Sequence, residues 1–109
     1  MSDAEARMAL LRQRFLARAS ADRAAIMAAL GEGDRAQLLR LAHGLAGIAG
    51  IFGHAEVGAR ASTVEEVIDR GEADAVLAER GEALVAALDA VAGGGSPDFP
   101  RADRREGRD

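Results

Sequence analysis

One histidine of this sequence lies in an unusual setting. His43 is followed by glycines at positions 44, 47 and 50, in a stretch that otherwise has a helical pattern. Each glycine costs a helix roughly 1 kcal/mol relative to alanine, so three of them are a poor choice for stability alone. Gly47 comes one helical turn after His43, and its missing side chain leaves the imidazole accessible to a reacting group or to another protein's backbone. Imidazole nitrogen is a nucleophile at neutral pH, so His43 is a candidate for group transfer.

The same residues also permit simpler interpretations. A single surface histidine usually has no special role, and a helical glycine such as Gly44 also serves close helix packing. The second histidine, His54, comes just after Gly53 near a predicted helix start, and we expect a turn or surface residue there. The sequence has no cysteine, and no histidine has a partner at metal-ligand spacing. We therefore expect no metal site.

The elements that position His43 are predicted to be helices. Residues 4 to 92 contain no proline and no alternating segment, and Gly, Ser and Asp residues divide them. We expect helices at about 4–19, from Ser20 or Asp22 to Leu30, and at about 35–52, 54–70 and 73–92; the first two are separate or form one bent helix. Their short connections predict an all-α, up-down antiparallel bundle. The bundle occupies residues 1–92, and the Gly-, Ser- and Pro-rich start of residues 93–109 predicts a flexible tail.

The apolar pattern of the third predicted segment orients His43. Large apolar residues recur there every three or four positions and form a seam that faces the core: Leu38, Leu41, Leu45, Ile48 and Phe52. At about 100° per residue, His43 lies almost opposite this seam and is expected to face solvent. Ala36, Ala42 and Ala46 are expected to keep the surrounding surface smooth.

Composition excludes several classes of protein. The chain has 109 residues, is 49% hydrophobic and carries a formal net charge of −4, which indicates one folded domain with no basic face for nucleic acid. No apolar run approaches a membrane span, and the acidic N-terminus lacks a signal peptide's apolar core. We expect a cytoplasmic protein that binds neither nucleic acid nor membrane.

The stretch from Ala42 to Gly53 resembles the histidine phosphotransfer (HPt) domain family. That family's pattern is His, any residue, a hydrophobic residue, usually Lys, Gly, any residue, a small residue, and a second Gly ten places after the His. Here the matching residues are Leu45, Gly47, Ala49 and Gly53. The helical frame around the motif also fits, so that the resemblance covers residues 8 to 92.

The resemblance implies a four-helix up-down bundle with an N-terminal helical cap. It also implies that His43 accepts a phosphoryl group from an aspartyl phosphate on a receiver domain, in a response regulator or hybrid histidine kinase, and delivers it to another receiver. The receiver would supply Mg²⁺ and the acidic cluster that stabilise the moving group, so no cofactor is expected in this chain. Self-phosphorylation from ATP is not expected, since no Gly-rich phosphate loop followed by Lys occurs.

One position departs from the family pattern. Ala46 stands where the family usually has Lys, the cation thought to steady the phosphoryl group. Arg40, one turn before His43, is our candidate replacement; the alternative is an ordinary solvated arginine. Leu39 and Ile51 are large apolar residues predicted away from the seam. They form either a docking surface with Ala46, Gly47 and Gly50 or a contact with the N-terminal helix.

Ala46 also motivates a second hypothesis, in which the chain is an HPt-shaped module that docks a receiver or kinase without transferring phosphate. Retention of His43 and Gly47 argues against it. A monomer is the default expectation, because one bundle already supplies a phosphoryl site. The initial Met and the tail favour a stand-alone protein.

Overall fold

The computed structural model describes residues 2–93, in which there are four helices and no strand. The helices are α1 (Asp3–Glu32), α2 (Arg35–Ile51), α3 (Ala55–Asp69) and α4 (Asp74–Ala92). The all-α prediction is therefore confirmed, and the three later helices begin and end within one or two residues of their predicted bounds. The predicted tail lies outside the described residues, apart from Gly93.

The N-terminal part of the chain is one continuous helix. Ser20 and Asp22 lie inside α1 and do not start a second helix, so the N-terminal cap is the first part of α1 and not a helix of its own. Ser2 begins α1 with a capping box, in which its hydroxyl accepts from the Glu5 N–H and the Glu5 carboxylate accepts from the Ser2 N–H. Gly33 ends α1 in the left-handed conformation, at φ +68°, which glycine adopts without steric cost.

The four helices form a closed ring around one core. Each helix contacts the next along the chain, and α1 also contacts α4; within residues 2–93 no Cα atoms of the diagonal pairs lie within 8 Å of each other. The connections between the helices are short and consist of residues 33–34, 52–54 and 70–73. Successive helices therefore run antiparallel. Within this part of the chain, no helix is both long and apolar enough to cross a membrane.

The core combines a few large side chains with many alanines. Its largest fully buried side chains are Phe15, Ile26, Leu38, Leu45, Leu84, Leu88, Val57 and Val64. Burial of each such side chain contributes about 1.5–3 kcal/mol relative to exposure. The first twelve residues of α1, from residue 3 to residue 14, bury no side chain, so this part of the helix extends past the packed bundle.

Helices α2 and α3 approach each other through small residues. Ala42, Ala49 and Ala61 are each at most 1% exposed. A Cβ on Gly58 would lie 3.7 Å from the Cβ of Ala49 and 3.9 Å from the Ala46 carbonyl oxygen. The backbones are therefore close enough for side chains at the flanks of the two helices to reach each other.

Candidate functional site

His43 projects from the outer face of α2. Its side chain is 81% exposed, and Nδ1 lies 2.8 Å from Oε2 of Glu65 on α3. The helical pattern predicts that His43 is exposed, but it does not predict the contact with Glu65. An ionised carboxylate only accepts hydrogen bonds, so it favours the tautomer with the proton on Nδ1. Nε2 then has a free lone pair and no hydrogen-bond partner among the described residues.

The contact with Glu65 follows from how α2 is rotated in the bundle. The seam was predicted from large apolar residues alone, and the buried face of α2 also contains alanines. Leu41, Ile48 and Phe52 are only partly buried. The fully buried positions are Leu38, Ala42, Leu45 and Ala49. At 100° per residue, the buried face is centred about 50° from the predicted direction. This rotation moves His43 toward α3. It also corrects the expected surface position of Ala42, which is 1% exposed.

Glu65 does not lie on a fully solvated helix face, which is the usual position of an acidic residue in an amphipathic helix. Its side chain is 22% exposed and faces His43, whereas its neighbour Glu66 is exposed. Glu65 directly follows the buried Val64, so it stands at the flank of α3. That flank position was readable from the sequence, but the pairing across helices was not.

A shallow groove beside His43 brings charged residues together. It is lined by Leu39, Arg40, His43, Glu65 and Asp69. Arg40 is exposed and donates from Nη2 to Oε1 of Gln37, one turn earlier on α2. The groove thus offers one cation and two carboxylates around a nucleophile.

The surface along α2 beyond His43 is open. A Cβ on Gly47 or Gly50 would meet no described atom within 4 Å, so packing does not require glycine at these positions. Ala46 is partly buried against the core. Ile51 is 78% exposed, so it is not buried against α1, and the half-buried Leu39 lines the groove with residues of α3.

His54 is a structural residue, which the sequence did not indicate. It stands at the turn before α3, as expected, but is only 6% exposed and is therefore not a surface residue. Its ring stacks on Phe15, with centroids 4.5 Å apart and planes 6° apart. Between residues 2 and 93 there is no cluster of three or more His, Cys, Asp or Glu residues that could hold a metal ion.

Comparison with known proteins agrees with this geometry. The family model of the Hpt domain matches residues 10–94, which is most of the chain. The chain belongs to the Hpt domain family. The Hpt domain is a phosphotransfer module of two-component signalling that interacts with receiver domains. Neither the search of curated proteins nor the search of solved structures gave a significant match.

Proposed function

We propose that this Hpt domain is a phosphorelay intermediate that carries the phosphoryl group on His43. The observation that supports this most directly is the exposed imidazole whose Nδ1 is held by Glu65, which leaves Nε2 open to solvent. Transfer from an aspartyl phosphate requires an oriented nucleophile and space for the receiver to approach it. Glu65 orients the His43 ring, and the absence of a side chain at Gly47 leaves that space.

The proposed reaction exchanges one bond for another. Nε2 of His43 attacks the phosphorus of the receiver's aspartyl phosphate, the N–P bond forms, and the P–O bond breaks to release the aspartate carboxylate. The proton on Nδ1 stays in its hydrogen bond to Glu65, whose negative charge stabilises the phosphorylated imidazolium. In the second transfer a different receiver's aspartate attacks the phosphorus, and His43 leaves as a neutral imidazole.

The residues around His43 would meet the receiver. Leu39, Ala46, Gly47, Gly50 and Ile51 form the proposed docking surface, which combines apolar contact with close backbone approach. Arg40 remains a candidate phosphoryl-stabilising cation. We expect Mg²⁺ to be supplied by the receiver, the Hpt domain to act as a monomer, and the protein to be cytoplasmic, as its partners would be.

Phosphoryl transfer from a radiolabelled, phosphorylated receiver domain tests the proposal. The wild-type chain is expected to gain an acid-labile, base-stable label, and His43→Gln to gain none. Since His43 is exposed, this substitution should leave the helical circular dichroism unchanged. If several receivers that label another Hpt domain leave this chain unlabelled, the proposal fails. Measurable binding to one of them would then favour the alternative suggested by Ala46, a docking module that does not transfer phosphate.

A further inference from the structure

Arg18 on α1 lies against the backbone of α2 at Gly44, the residue that follows His43. Its Nη2 is 2.6 Å from the position that a Cβ on Gly44 would occupy. The guanidinium therefore takes the place of a side chain at residue 44, directly after His43 in sequence. Any side chain at this position would displace Arg18.

A carboxylate on α1 holds this arginine in place. Nε of Arg18 donates to Oδ2 of Asp22 at 3.3 Å, one turn later on the helix. Asp22 is the more buried partner, with a side chain that is 15% exposed against 45% for Arg18. Because Asp22 engages Nε, Nη2 keeps its donors while it lies against α2 at Gly44.

The two neighbours of α2 thus bring opposite charges to successive residues of this helix, Glu65 to His43 and Arg18 to Gly44. Glu65 approaches from α3 and Arg18 from α1. Viewed down the axis of α2, Gly44 lies about 100° from His43, and Gly47 lies between them, about 40° from His43. Neither glycine has a side chain to separate the guanidinium from the space in front of the imidazole.

We infer that Arg18 contacts the phosphoryl group during transfer and supplies the positive charge that Ala46 does not. This inference rests on the proposed function of His43. A guanidinium is always protonated and presents paired N–H donors that match phosphoryl oxygens. It takes up no proton and breaks no bond; it stabilises the charge on the phosphoryl oxygens as the group moves from the aspartate to Nε2. Arg40, by contrast, uses an Nη donor for its hydrogen bond to Gln37, whereas Asp22 engages Nε of Arg18.

Single-turnover transfer from a phosphorylated receiver tests the role of Arg18. Arg18→Ala is expected to slow the labelling of His43 roughly tenfold, because one charge-assisted contact to the transition state is lost. Arg18→Lys should recover part of the rate, and Arg40→Ala should lose less than Arg18→Ala. Gly44→Ala should slow transfer as well, since the new methyl group displaces the guanidinium.

The matched control is Arg14→Ala, which removes an exposed arginine one turn earlier on α1 and should transfer at the wild-type rate. The affinity of Arg18→Ala for the unphosphorylated receiver measures docking without any contact to a phosphoryl group. We expect this affinity to change less than the rate of transfer. If Arg18→Ala transfers like wild type, or its rate and affinity fall in equal proportion, the inference is wrong while the proposed function stands. If wild type itself gains no label on His43, both fail.

Discussion

At the scale of single residues, the contact between Nδ1 of His43 and Glu65 leaves Nε2 as the open imidazole nitrogen, the one that the proposed function assigns to phosphoryl transfer. The carboxylate favours the tautomer with the proton on Nδ1 and orients the ring, and under the proposed function its negative charge would stabilise the phosphorylated imidazolium. Both side chains are partly or largely exposed, so solvent screening limits the strength of the contact.

We expect Glu65→Ala to slow phosphoryl transfer to His43 roughly two- to tenfold, because a partly screened hydrogen bond of about 0.5–1.5 kcal/mol is lost. Glu65→Gln keeps an acceptor oxygen without the charge and should lie between Glu65→Ala and wild type. The measurement is single-turnover labelling by a phosphorylated receiver. Glu66→Ala, at the exposed next position, is the control; an equal loss there would show that Glu65 has no specific role.

Sequence reasoning predicted the exposure of His43 but not the residues that surround it. His43 could be placed on an exposed face because the position of one residue relative to its own helix depends only on helical periodicity. Glu65 and Arg18 contact α2 from other helices, so their roles depend on how each helix is rotated and how closely it packs. Small residues such as Ala42 and Ala49 set that rotation, and a pattern weighted by large apolar side chains misses them.

At the scale of elements, α2 carries glycines that its packing does not need. A Cβ on Gly47 would contact no described atom within 4 Å, whereas a Cβ on the buried Gly81 of α4 would lie 2.7 Å from Cδ2 of Leu30 on α1. Close helix contact explains Gly81, whereas packing leaves Gly47 unexplained, and the proposed function assigns to it access to His43.

These surroundings give the same substitution opposite effects on stability. Gly47→Ala should raise the free energy of unfolding by about 0.5–1 kcal/mol through better helix propensity. Gly81→Ala should lower it, because Leu30 must shift to admit the methyl group. Urea midpoints measure both. Gly47→Leu should leave the chain folded yet slow transfer at His43, and a leucine variant that transfers at the wild-type rate would contradict the proposed access role of Gly47.

The bounds of most elements were predictable because local signals specify them. Asp34 starts α2 by accepting a hydrogen bond from the Gln37 N–H at 3.1 Å, and Gly33 and Gly71 have the positive φ angles of turn glycines. Within α1, Ser20 and Asp22 resemble start signals but have no preceding break. A polar residue in the middle of a periodic apolar pattern does not end a helix, so the two predicted segments are one.

At the scale of the whole molecule, Phe15 joins α1 to the turn between α2 and α3. Its ring is 1% exposed, lies 5.5 Å from the ring of Phe52 and stacks on His54. The turn that follows α2 is thus held against α1 by Phe15, whereas residues 3–14 of α1 bury no side chain. Removing this ring should weaken the whole bundle and not one helix.

We expect Phe15→Ala to lower the free energy of unfolding by about 3–5 kcal/mol, the usual cost of deleting a buried aromatic ring. Since domains of this size have about 5–15 kcal/mol in total, the variant should unfold at a much lower urea concentration. The transition should stay cooperative with a similar slope, because the surface exposed on unfolding is nearly the same. Leu16→Ala removes a side chain that is 42% exposed at the next position and should change stability by about 0.5 kcal/mol or less. If both variants unfold at the same urea concentration, the cluster of Phe15, Phe52 and His54 does not hold the bundle together, and α2 must be positioned by its other contacts with α1 and α3.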